Sequence, residues 1–182
     1  MSDTKFRFVL RDEMRAAHAA LDEMVGPLET LGSYSAFIAG LYRFRGATEA
    51  ALRALDWPEA FGGWRPLYID ALLAADLVDL DRSPVRPAAA KLSNDIASLL
   101  GVSYVLEGSA LGARLISRQA AALGLNDRYG ARHLAAQTAE LTNWRAFLTL
   151  AETLPGVDRP RAVQAANDSF AAAAAAMRMS VP

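Results

Sequence analysis

Apolar residues recur along this chain every three or four positions, the spacing of one face of an α-helix. In the first such stretch, from about Thr4 to Met24, the apolar positions are Phe8, Leu10, Met14, Ala17, Leu21 and Met24, with His18 among them, and Gly26-Pro27 stops it. Ser33 is placed to cap a second helix, Tyr34 to Leu55, built on Phe37, Ile38, Leu41, Phe44 and Leu52 and ended by Trp57-Pro58. A third helix is expected over Trp64 to Leu77, followed by a loop at Asp81-Arg-Ser-Pro-Val-Arg-Pro87. The central helix covers about Ser93 to Leu123 and should bend or break near Gly101 or Gly108, with Gly124 as its C-terminal cap. Two more helices follow, about Arg128 to Thr153 and about Arg159 to Met177; the alanine run Ala171 to Ala176 favours helix over disorder. No stretch shows strand-like alternation. The pattern predicts an all-α helical bundle, and 182 residues favour one domain over 1–182.

Two places break the pattern in a way that bears on chemistry. Gly108 and Gly112 lie four apart inside the central helix, on one face, and each weakens a helix by about 1 kcal/mol relative to alanine. With Ser109 and Ala113 they make a face of little bulk, suited either to close packing of another helix or to a flat ligand lying against bare backbone. The second place is His18. Asp22 follows at i+4, within reach of its imidazole, and Arg11 precedes it by two turns, roughly 10 Å along the helix axis. An imidazole, an orienting carboxylate and a cation can together hold a metal-containing cofactor; the same set also describes a partly buried histidine paired with an aspartate. The two features gain force together, because a metal in a flat macrocycle needs a ligand on one side and an unobstructive surface on the other.

Composition narrows the alternatives. The chain is 53% hydrophobic and 21% charged with a net charge of −1, enough apolar material for one core and no excess of charge to attract nucleic acid or an anionic membrane. It has no cysteine, which excludes disulfides, thiolate metal sites and a cysteine nucleophile. No apolar run reaches the roughly 18 residues of a membrane span, and the N-terminus lacks a signal peptide's apolar region, so a cytoplasmic location is expected. The second histidine, His133, stands among polar neighbours and reads as a surface residue, whereas Glu107 reads as buried and hydrogen-bonded, and Tyr104, Trp64, Trp144 and Phe147 as core. A glycine-rich phosphate loop, a dinucleotide fingerprint and an HExxH zinc motif are all absent.

The segment Leu10-Arg-Asp-Glu-Met-Arg-Ala-Ala-His18-Ala-Ala-Leu-Asp22 resembles the proximal helix of the heme oxygenases. Tyr104-Val-Leu-Glu-Gly-Ser-Ala-Leu-Gly112 resembles the distal helix of their bacterial, bacteriophytochrome-associated branch, and Trp64-Arg-Pro, Asp76-Leu77 and Trp144-Arg-Ala-Phe147 are similar to that branch too. The resemblance runs from about residue 8 to 150 in the right order. It implies a heme-oxygenase-like bundle in which His18 is the axial ligand of heme iron, Asp22 supports it, and Arg11 lies near a heme propionate. Gly108, Ser109 and Gly112 would form the distal wall, with Ser109 where the animal enzymes carry an aspartate. Heme would be cofactor and substrate, cleaved with O2 to biliverdin, carbon monoxide and ferrous iron. Electrons would come from a ferredoxin or a reductase, and a bacteriophytochrome is the implied acceptor of the biliverdin. Three departures stand out. Ala113 replaces a second consecutive glycine, and its methyl there could crowd the heme or stiffen the hinge. Ala135-Ala136-Gln137 occupies a region that is glycine-rich in many relatives, and Leu141 replaces a small residue. A heme-binding or sensor protein without turnover, or a heme-free interaction protein, would fit the same scaffold.

Overall fold

The computed structural model describes residues 5–139 and 142–180. Among them are seven α-helices and no strand: α1 (Phe6–Val25), α2 (Leu31–Ala54), α3 (Asp70–Asp79), α4 (Ile96–Ala122), α5 (Arg132–Ala139), α6 (Thr142–Thr153) and α7 (Arg159–Arg178), with one 3-10 turn at Glu59–Phe61. The all-α expectation holds. The departure noted at Leu141, and the expected helix start at Thr4, fall outside the described residues.

Helix ends are set by side chains from near and far. On α1, Phe6, Leu10 and Met14 repeat every four residues and are buried, while the opposite face is exposed. Its first amides have no local cap; Phe6 N and Arg7 N donate to the Glu152 carboxylate of α6, each at 3.1 Å. The second helix begins earlier than expected. Thr30, not Ser33, is its N-cap, and Ser33 completes a capping box by returning its hydroxyl to the Thr30 amide.

The third helix starts six residues later than the sequence pattern predicts, at Asp70. The preceding segment is held out of the helix by two buried carboxylates and a buried guanidinium. Leu67 N donates to Glu107 Oε1 at 2.6 Å, and the Leu67 carbonyl accepts from Arg45 Nη2 at 2.5 Å. Glu49 Oε2 then accepts from Ile69 N at 3.0 Å and Asp70 N at 2.9 Å, capping α3 from α2. Arg45 and Glu49 are 1% and 0% exposed and pair at 2.6 Å. Burial raises the Glu49 pKa in spite of Arg45.

The central helix is continuous through Gly101, Gly108 and Gly112, so the expected break is absent. It is long and apolar enough to cross a membrane by length and composition, and 67% of its most apolar window is buried inside the bundle, as suits a core helix. Its most extensive partner is α7. The close approach happens at Gly101: a Cβ there would overlap the Ala162 carbonyl oxygen and stand 2.8 Å from Ala166 N. The alanines of α7 are the other half of that contact, with Ala162 and Ala166 both 0% exposed. Around α4 lie two cores. One gathers Phe6, Leu10, Met14, Leu99, Val102, Leu106, Phe147 and Phe170; the other gathers Tyr34, Ile38, Leu73, Leu77, Ala113 and Leu134.

His133 is not on the surface. It is 0% exposed at the start of α5, where the Asp76 carboxylate caps the helix by accepting from Arg132 N at 3.0 Å and His133 N at 3.1 Å. The same carboxylate lies 2.8 Å from His133 Nδ1, so that nitrogen carries the proton of a neutral ring. Burial works to raise the Asp76 pKa, and hydrogen bonds from the His133 ring and the two amides more than reverse it. Burial lowers the His133 pKa, against the pull of Asp76.

The lowered His133 pKa predicts a pH dependence. An unfolded imidazole takes up a proton below about pH 6.5, and the buried one only at lower pH. In that window the unfolded chain binds more protons, so stability falls as pH drops from about 7 to 5. Urea unfolding at steps across this range measures it, and His133→Asn, which does not titrate, flattens this part of the profile. At Gly101, alanine is expected to lose about 1–3 kcal/mol in the same assay despite its better helix propensity, because backbone stands where its methyl must go.

Candidate functional site

The helices α1 and α4 both pack on α7, and α1 makes its other main contact with α6. The expected site residues lie on α1 and α4. On α1, the His18 side chain is 61% exposed, and its Nδ1 lies 2.9 Å from Asp22 Oδ2. Its ring stands edge-on to Phe170 of α7, with centroids 6.0 Å apart. A carboxylate at Nδ1 fixes that nitrogen as the donor and turns the Nε2 lone pair outward, the form in which imidazole binds a metal.

On α4, a strip around Gly112 is uncovered. Gly112 has no neighbour within 4 Å of where a Cβ would stand, and at Gly108 the nearest is a ring carbon of Trp144 at 4.0 Å. Leu111 and Leu115 border the strip at 54% and 62% exposure, an unusual amount of bare aliphatic surface beside bare backbone. Tyr104, one turn before Gly108, ties this strip to α1. Burial raises its pKa, while Arg11 lowers it and Asp12 raises it through space. The glycines therefore divide by role. Gly101 admits another helix, Gly108 meets only the rim of the Trp144 ring, and Gly112 meets nothing, which leaves room for a flat, apolar ligand.

Ser109 is exposed on the same helix, donating to the Leu106 carbonyl at 2.7 Å and accepting from Gln137 Nε2 at 2.8 Å. Arg11 is exposed, stacked over Phe8 and paired with Asp12 at 3.1 Å, so its charge is already partly answered. Arg15 shares the same aspartate at 2.7 Å.

Ala113 departs from expectation. It is 1% exposed, and its methyl packs into the second core with Ile38, Leu73 and Leu134. It lies one turn past Ser109 on the same flank of α4, but the second core covers it there whereas Ser109 is exposed. It has no surface to offer a ligand and does not crowd one. Glu107 is buried as expected, bonded to Leu67 N and to Asn143 Nδ2 at 2.8 Å. The aromatic residues also behave as core: Trp64, Tyr104 and Trp144 pack around the fully buried Phe147. Arg132 bridges Asp76 and Asp79.

Two residues at the site carried no signal read from the sequence. Gln137 passed as one of three residues in a small-residue region, although a lone amide four residues after His133 on a buried helix face marks a polar contact. Arg45 lies among helix-forming residues, and only its Glu49 partner at i+4 hinted at a pair.

The donor set fits heme: one free imidazole nitrogen, an aspartate behind it, and an apolar strip of α4 that a side chain would otherwise fill. No family model matches the chain. It is similar to the heme oxygenase PigA of Pseudomonas aeruginosa, 30% identical over an alignment of 162 residues that covers 84% of this chain and 81% of that protein. It is also similar to the crystal structures of the NO- and CO-bound heme oxygenase from Neisseria meningitidis, with a TM-score of 0.81 and 25% identity over 98% of this chain and 93% of that one. Fold, site chemistry and relatedness over most of both chains agree, and the chain belongs to the heme oxygenases.

Proposed function

We propose that heme lies between His18 and the Gly108–Gly112 strip of α4, with His18 Nε2 as the ligand to iron. Bound heme supplies the iron that activates O2 and is itself the ring that is cleaved, to biliverdin, carbon monoxide and ferrous iron. The observation that carries the placement is the contrast within α4: backbone sealed against α7 at Gly101, and backbone open at Gly112.

Each residue then has a task. Asp22 holds the His18 ring in one tautomer and one orientation. Gly108 and Gly112 keep side chains out of the space where a small diatomic ligand must fit. Leu111 and Leu115 shield that space from water. Arg11 is placed to meet a propionate at the edge of the ring, exchanging part of its pairing with Asp12. Electrons from a ferredoxin or a reductase and delivery of biliverdin to a bacteriophytochrome belong to the same proposal and rest on the resemblance of the α4 motif to the bacterial branch; a cytoplasmic setting is proposed with them.

Hemin titration tests the ligand. The wild-type protein is expected to give the Soret band of an imidazole-ligated heme. In His18→Ala that band is lost, and added imidazole restores it. An unchanged band in His18→Ala would show that another group binds the iron.

The strip makes a second prediction with opposite signs in two assays. Gly112→Ala should raise the thermal stability of the heme-free protein, by up to about 1 kcal/mol, because alanine favours helix and meets no neighbour. The same methyl should weaken heme binding or turnover about tenfold, the equivalent of about 1.4 kcal/mol of lost fit. Denaturation and hemin titration of one preparation give both numbers.

A further inference from the structure

The wall of the proposed site carries one hydroxyl, and the structure holds it in one orientation. Ser109 Oγ lies 2.7 Å from the Leu106 carbonyl oxygen and 2.8 Å from Gln137 Nε2. A serine hydroxyl has one proton and two lone pairs. The carbonyl can only accept, so the proton points there; the amide N–H of Gln137 takes one lone pair. One lone pair is left, on an exposed residue next to Gly108.

Both partners are fixed from behind. The Leu106 carbonyl also accepts from Nη1 of the buried Arg45 at 3.0 Å. Gln137 is 5% exposed, on a helix whose first turn is capped by the buried Asp76. Nothing about heme ligation requires this. A serine without Gln137 would be free to rotate and donate its proton into the site.

We propose that Gln137 is a positioning residue for the reaction: it locks Ser109 as a hydrogen-bond acceptor toward the distal side of bound heme. This rests on the placement of Gly108, Ser109 and Gly112 as the wall of the heme site. A water held there gives one proton to Ser109 and keeps its other proton for the reacting side. A freely rotating serine would compete as a second donor and leave the water without a fixed direction.

The test is the pH titration of the ferric heme complex, following the change from its acid to its alkaline absorption spectrum. The proteins are wild type, Ser109→Ala, Gln137→Met, Gln137→Glu and the Ser109→Ala/Gln137→Met pair. Methionine keeps the length and burial of Gln137 without the donor. Glutamate keeps its shape and brings an acceptor with a negative charge. Gln137→Met is expected to lower the midpoint, because the released Ser109 proton favours the deprotonated form, and Gln137→Glu to raise it, each by about half a pH unit or more. In the Ser109→Ala background, Gln137→Met should add no further shift.

If Ser109→Ala moves the midpoint and Gln137→Met does not, the role given to Gln137 is wrong. Shifts of the same sign from methionine and glutamate would mean a general disturbance of the wall and would equally overturn it. A midpoint that Ser109→Ala leaves in place sinks the placement of the wall itself, which is a separate failure. Should the methionine variant not fold, Gln137→Leu, which also lacks the donor and adds no charge, makes the same comparison in both backgrounds.

Discussion

The packing of α4 against α7 fixes where the site is. A 27-residue helix that is bound tightly by alanines over one stretch and left bare farther along the same face presents that bare stretch to something else. Gly101 permits the tight stretch, since any side chain there would collide with the α7 backbone. Once that contact is made, the rotation of α4 about its axis is set. Gly108 and Gly112 follow seven and eleven residues later, two and three turns along, so they lie on the same face as Gly101, where Gly112 meets no neighbour within 4 Å. The first core is shared by α1, α4 and α7.

A buried ion pair supports α4 from the other direction. Arg45 spends its donors on Glu49, the Leu67 carbonyl and the Leu106 carbonyl, so α2, the segment before α3, and α4 meet at one guanidinium. Taking such a charge out of water is costly, and removing one partner of a buried pair typically loses about 3–5 kcal/mol. What the pair provides is direction. The Leu106 carbonyl is held by Arg45 and also receives the Ser109 hydroxyl, so the polar network that braces the fold ends one bond from the ligand face. Scaffold and site are continuous at that carbonyl.

Much of this was legible in the sequence, and the misses have physical causes. The helical period, the Gly-Pro and Trp-Pro stops and the glycine pair were enough for the bundle and for α4. The late start of α3 was not legible, because Trp64 to Ile69 has a helical apolar pattern and is held out of the helix by Glu107, Arg45 and Glu49 from distant segments. His133 read as surface because its neighbours in sequence are polar; its burial depends on Asp76, 57 positions away. Ala113 was placed with the glycines because it adjoins one of them, whereas the helix turns it into the second core. Spacing says which residues share a face. It does not say which face meets a partner.

The central claim is that the open strip of α4 faces a heme that this protein turns over. Reduction of the hemin complex in air, with ascorbate or a ferredoxin system as electron source, tests it most directly. The account predicts loss of the Soret band together with the rise of the broad red absorption of biliverdin. A complex that is reduced, binds O2 and returns to the starting spectrum without bile pigment would contradict it.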